Sequence, residues 1–301
     1  MAATIHEGKG VFVFPPITVH DVGESGVLDA PTTPKQRKVK FTHTKSPSPI
    51  KTVVTEDGFL APIMHGTDEE ILEFLNVIIG TAMGKGYQAH YVTEDDFCSF
   101  RWEEGSDILQ ITSSQVFSLR NRLEFERDND QTIDLWKQMP RNKVEMHSMG
   151  SAWLDQGHSF YNEPKLKEYV ILLGDAWGLS YDKMYTASFL YAWMIIENFL
   201  ETFWYDYVDS LTVSSIDKEV MKKNVQQTSF NFTEILLKLG KLDSETKGSL
   251  TKLRQIRNDL VHDMTKASLN DAHNCMHVVN EMIYNVFNKV ANPFAGIKLI
   301  K

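Results

Sequence analysis

The chain is short of cysteine, of long uncharged apolar runs and of positive charge. Its two cysteines, Cys98 and Cys275, stand far apart and without metal-type spacing. That excludes a disulfide scaffold and a thiolate zinc site, and reads as two reduced thiols in a cytoplasmic protein. The longest charge-free apolar-rich run near the aromatic cluster, residues 184–196, ends at Glu197. It falls short of the ~20 residues a membrane helix needs, so no membrane span is expected. The N-terminus has no basic stretch followed by an apolar one, so no signal peptide is expected. The formal net charge of −9 makes the surface as a whole a poor binder of nucleic acid. Contact with phosphates has to come from a local basic patch.

What is present is a globular composition, 42% hydrophobic and 24% charged over 301 residues, enough for one large domain or two ordinary ones. Residues 1–60 read as extended and linker-rich. "GVFVFPPITV" is a short strand broken by a Pro pair. The stretch from 31 to 51 carries Lys35, Arg37, Lys38, Lys40, Lys45 and Lys51 with no acid. It reads as a solvated linker or an extended edge segment, with an RNA-contacting or regulatory arm as the alternative. Residues 61–150 mix one helix with several strands. Thr67 and Glu70 form a capping box for a helix over 67–83, stopped at Gly84. "YQAHYV", "FCSFRW", "DILQITSS" and "RLEFER" follow as strand signals.

From 151 onward the chain is expected to be a helical bundle. Pro164 suits a first turn. "GLS" at 178–180 is read as a break, with Ser180 capping a long helix over 181–208. Asn231 is read as the cap of the next helix and Gly240 as its stop. The last helix runs from Leu269 to Val290. The fold class is therefore α+β, with a mixed N-terminal domain and an all-α C-terminal bundle.

The helix from Ser244 carries the chemistry. Leu250, Leu253, Leu260 and Val261, with Ile256 beside them, make its apolar stripe. Arg254, Asn258 and His262 recur at i, i+4 and i+8 along a flank, and Arg257 stands at the stripe. Arg257 and His262 point roughly 140° apart on one helix. Two copies of the helix meeting across a two-fold axis bring both groups to one place.

"RQIRNDLVHD" resembles the signature of the HEPN superfamily: an arginine, a polar residue, three more positions and a histidine, on the penultimate long helix of an α-bundle. The resemblance covers roughly residues 165–295. It implies a metal-independent endoribonuclease, active as a homodimer through the C-terminal helices, with RNA as substrate and no cofactor. Arg257, Asn258 and His262 are then the catalytic set. A titrating imidazole and a permanently charged planar guanidinium suit proton transfer and a charged phosphorane. Glu197 sits at an apolar face and needs a partner; it is the candidate to fix Arg257 or Arg254, and Arg254 and Asp263 complete the supporting set. Lys222, Lys223, Lys247 and Lys252 supply the basic groove. Toxins and antiviral effectors share such architectures, in which the N-terminal domain takes a regulatory partner or ligand. The competing reading is a non-catalytic dimerisation or nucleotide-binding module, with Arg257 paired structurally to Glu197 and His262 complementing the helix dipole.

His273 and His277 stand at i, i+4. Asn274 replaces the glutamate of a metalloprotease helix and no third ligand is evident, so no metal is assigned to them. They are read instead as lining the edge of the cleavage site.

Overall fold

The computed structural model describes residues 3–13, 17–20, 36–44, 50–85, 87, 89–114, 142–145, 151–224, 229–238 and 244–288. The chain is mixed α+β, and its contacts divide it into two units, Met1–Gly174 and Asp175–Lys301.

The first unit is built on a closed antiparallel barrel. Its strands are β1 (Ile5–Phe12), β3 (Gln36–Thr44), β4 (Lys51–Thr55), β5 (Phe59–Ile63), β6 (Cys98–Glu103) and β7 (Ile108–Ser114). They follow the order β1-β5-β4-β3-β7-β6, and β6 returns to β1. Phe12, Val53, Phe59, Cys98, Phe100, Trp102, Leu109 and Ile111 fill its core. The stretch expected to be linker-rich thus supplies three of the six barrel strands and the first residues of a fourth. Of the basic run, Arg37, Lys38 and Lys40 lie in β3, which pairs with β4 on one side and β7 on the other and so is not an edge strand; Lys51 opens β4, and Lys35 and Lys45 lie outside the described residues. Arg37 from this run is 2% exposed and its Nε lies 3.1 Å from Asp57 Oδ2, with Phe12 beneath the guanidinium. Burying that cation is tolerable only because a carboxylate is buried with it. A separate parallel pair joins β2 (Ile17–His20) to β8 (Asn142–Glu145). The described part of "YQAHYV" is not strand, and "RLEFER" lies outside the described residues.

Helix α1 (Asp68–Gly84) begins as expected. Thr67 Oγ1 accepts from the Glu70 amide at 3.2 Å, and the Glu70 carboxylate accepts from the Thr67 amide at 2.8 Å. Helix α2 (Ser151–Tyr161) packs on α1 and so belongs to the barrel unit rather than to the bundle. Its His158 is wholly buried, 3.1 Å from Thr52 Oγ1 on β4, with its ring against those of His43 and Phe74.

Helix α3 (Pro164–Tyr181) runs through Gly178 and Ser180, so "GLS" is not a break. The chain turns later, where Lys183 takes φ 61° and the Met184 amide donates to the Leu179 carbonyl. The second unit then comprises α4 (Tyr185–Ser210), α5 (Ser215–Asn224), α6 (Ser229–Lys238), α7 (Ser244–His262) and α8 (Leu269–Asn288). Asn231 lies inside α6 rather than at its cap, while Gly240 lies outside the described residues. Helix α4 is the hub, touching α5, α6, α7 and α8. Phe189, Ala192, Trp193, Ile196 and Leu200 are buried along it. The 3- and 4-residue recurrence of these apolar positions is what places one helix among several neighbours.

Candidate functional site

Helix α7 is anchored by Leu250, Leu253 and Leu260, which are 2%, 4% and 8% exposed. Val261 does not complete the stripe, being 47% exposed. The helix ends at His262 for a backbone reason. The amides of Asp263 and Thr265 both reach the Asp259 carbonyl, at 3.0 and 3.4 Å, and Met264 takes φ 53° to allow it. Glycine usually fills that left-handed position, so a methionine there is strained. The motif histidine is therefore solvent-exposed on the last turn, followed by an 89%-exposed Met264.

Arg257 and Asn258 are half-buried, and Arg257 Nη1 donates to Asn258 Oδ1 at 3.4 Å. That is a weak, long bond between adjacent residues. Among the described residues Arg257 and His262 are in no ion pair. Glu197, half-buried on α4, pairs with neither Arg254 nor Arg257 among the described residues. Asp263 is exposed at the helix end. Gln255 rather than a basic group holds Asp259, through a 2.7 Å bond.

The expected basic groove is mostly neutralised. Lys222 Nζ lies 2.7 Å from both Asp209 carboxylate oxygens, Lys223 pairs with Glu219 at 3.0 Å, and Lys247 pairs with Glu234 at 2.7 Å. Lys222 and Lys223 line a cleft of about 540 Å³ with Tyr205, Asp209, Lys218 and Glu219. Its cations and carboxylates nearly balance. Of the four lysines expected to meet RNA, Lys252 alone has no ionic partner among the described residues, and it is exposed.

No protein-family model, curated protein or solved structure matches this chain. The site therefore rests on its own residues.

A second cluster forms where α3 meets α8. Ser180 Oγ, buried, lies 3.2 Å from His273 Nε2. The Trp177 indole packs on both imidazoles, with centroids 5.1 Å from His273 and 5.9 Å from His277. Burial, reinforced by the neighbouring His277, holds His273 below the ordinary imidazole range. Burial raises the Glu281 carboxyl one turn beyond, against the pull of His277. Burial also pushes the Tyr181 phenol, stacked on Trp177, up to about 12. The histidine pair is visible from sequence. Ser180 and Trp177 are not, because a three-residue spacing on another helix carries no sign of what it faces. Among the described residues no three His, Cys, Asp or Glu side chains converge where one ion could sit. No described helix is long and apolar enough to cross a membrane.

Proposed function

We propose that this chain is a metal-independent endoribonuclease of the HEPN type, cytoplasmic, with an active site completed by a second copy of the chain. The observation that carries the proposal is the ionic freedom of Arg257 and His262 among the described residues. A structural arginine in this bundle would take the carboxylate of Glu197, and it does not. A half-buried guanidinium held only by a neighbouring amide keeps its charge for an anion.

The chemistry follows from the residue types. His262 takes the proton of a ribose 2′-hydroxyl, and the 2′ oxygen attacks the adjacent phosphorus. The P–O5′ bond breaks, and the departing 5′ oxygen takes a proton from the second histidine of the pair. The products are a 2′,3′-cyclic phosphate and a 5′-hydroxyl. Arg257 stabilises the charge that builds on the non-bridging oxygens. Asn258, one turn before His262, orients the imidazole or donates to a phosphate oxygen. DNA lacks the nucleophile and is not cut. In this reading the barrel unit restrains or senses, and the enzyme serves as a toxin or antiviral effector.

A non-catalytic RNA-binding or dimerisation module is the second reading. The pairing of Lys222, Lys223 and Lys247 with carboxylates favours it, since a processive phosphate track needs free cations. One experiment separates the two. RNA and DNA are incubated with the purified chain in excess EDTA, beside His262→Ala and Arg257→Ala. Cleavage of RNA alone, leaving cyclic phosphate ends and lost in both variants, is expected. RNA left intact by the wild type, or cut equally well by His262→Ala, sinks the nuclease.

A further inference from the structure

We infer that His273 and His277 on α8 form a two-ligand site for a borderline transition-metal dication, with Zn²⁺ as the probe. The residues lie one helical turn apart, which puts their Cβ atoms about 5–6 Å from each other on one face. Both rings touch the same indole, that of Trp177, so their side chains project to the same side of the helix. Spacing alone makes a weak chelate, because two free imidazoles lose rotamer freedom on closing around an ion. Here much of that freedom is already gone. Trp177 is 7% exposed and forms a fixed wall, and Ser180 Oγ holds one nitrogen of the His273 ring at 3.2 Å.

The Ser180 contact has the form of an outer partner to a metal-bound histidine. A ligating imidazole usually gives its second N–H to an oxygen, which sets the tautomer and leaves the other nitrogen as the donor. With Nε2–H given to Ser180, His273 presents Nδ1. Among the described residues no protein group bonds that nitrogen or either nitrogen of His277. Imidazole pairs favour zinc, copper and nickel over magnesium or calcium. No third protein ligand converges on the pair among the described residues, so water completes the coordination. Glu281 stands one turn beyond His277 and feels its charge.

The pair shares no residue with the arginine–histidine motif, and its test needs no RNA. Isothermal titration of the full chain with Zn²⁺ should give one ion per chain. His277→Ala, at an exposed position, should abolish binding while leaving the circular dichroism spectrum unchanged. Ser180→Ala should weaken binding roughly tenfold. Cu²⁺, a paramagnetic probe, should quench an emission component that Trp177→Phe removes. Failure of the wild type to bind Zn²⁺ overturns the inference. So does binding of equal strength in His277→Ala, which would place the ion elsewhere.

Discussion

The Lys247 ammonium lies 2.7 Å from the Glu234 carboxylate, tying α7 to α6. Lys252, on the same helix as Lys247, is exposed and has no ionic partner among the described residues. The two lysines should therefore behave differently toward RNA. Lys252→Ala should lower the salt dependence of binding by about 0.7 in log K against log salt, the loss of one single-strand phosphate contact. Lys247→Ala should leave that slope unchanged and cost less than about 1 kcal/mol of stability, as partly exposed pairs do. Filter binding across a salt series checks both.

The second prediction concerns a close approach in the barrel unit. The Tyr91 hydroxyl shares its one proton between the Val170 and Ile171 carbonyls, each at 2.7 Å. Its ring occupies the room left by two glycines. A Cβ on Gly80 would stand 2.6 Å from the Tyr91 hydroxyl, and one on Gly174 would overlap the hydroxyl and ring. Gly174→Ala should destabilise the chain by about 1–3 kcal/mol through overpacking. Tyr91→Phe should cost about 1 kcal/mol through the lost hydrogen bonds. Urea midpoints at constant slope measure each.

A third follows from the buried Arg37–Asp57 pair. Removing one partner takes a buried counter-charge from the other. Asp57→Ala should cost about 3–5 kcal/mol by chemical denaturation. Replacing both residues by apolar groups of similar volume should recover most of that loss. A double variant as unstable as Asp57→Ala would show that packing around Phe12, and not charge, dominates.

The fourth is a pH effect at Tyr181. Its phenol is raised from 10 to about 12 by burial, so the folded chain keeps the proton longer than the unfolded one. Between these values the unfolded state binds fewer protons, and stability falls as pH rises. Below pH 10 the group contributes no slope. Tyrosinate absorbance should therefore lose a phenol ionising near pH 12 in Tyr181→Phe.

These positions differ in how far sequence betrays them. The α1 capping box was legible because its two bonds join residues three apart. The helical character of the second half was legible because apolar recurrence is local. The barrel was not. Its closure depends on β1 meeting β6 and β3 meeting β7, pairings far apart in sequence. β1 also hides its alternation, since Gly8 and Gly10 interrupt it. Gly10 is needed where a Cβ would stand 2.5 Å from the Leu60 carbonyl and 2.7 Å from the Phe59 ring. The motif on α7 was legible as a spacing. The sequence could not reveal that Glu197 stands apart from its arginines, or that carboxylates on α4, α5 and α6 hold three of the expected lysines. Ion-pair partners are set by tertiary neighbours, not by charge runs.

The ring of six strands carries a consequence for company. Every strand in it has a neighbour on both sides, so among the described residues the barrel leaves no strand unpaired along a whole edge. A partner of the barrel, as distinct from the β2–β8 pair, is not expected to recognise it by lengthening its sheet. It must grip loops and side chains, and its grip should be lost to point substitutions on the barrel surface rather than to competing extended peptides.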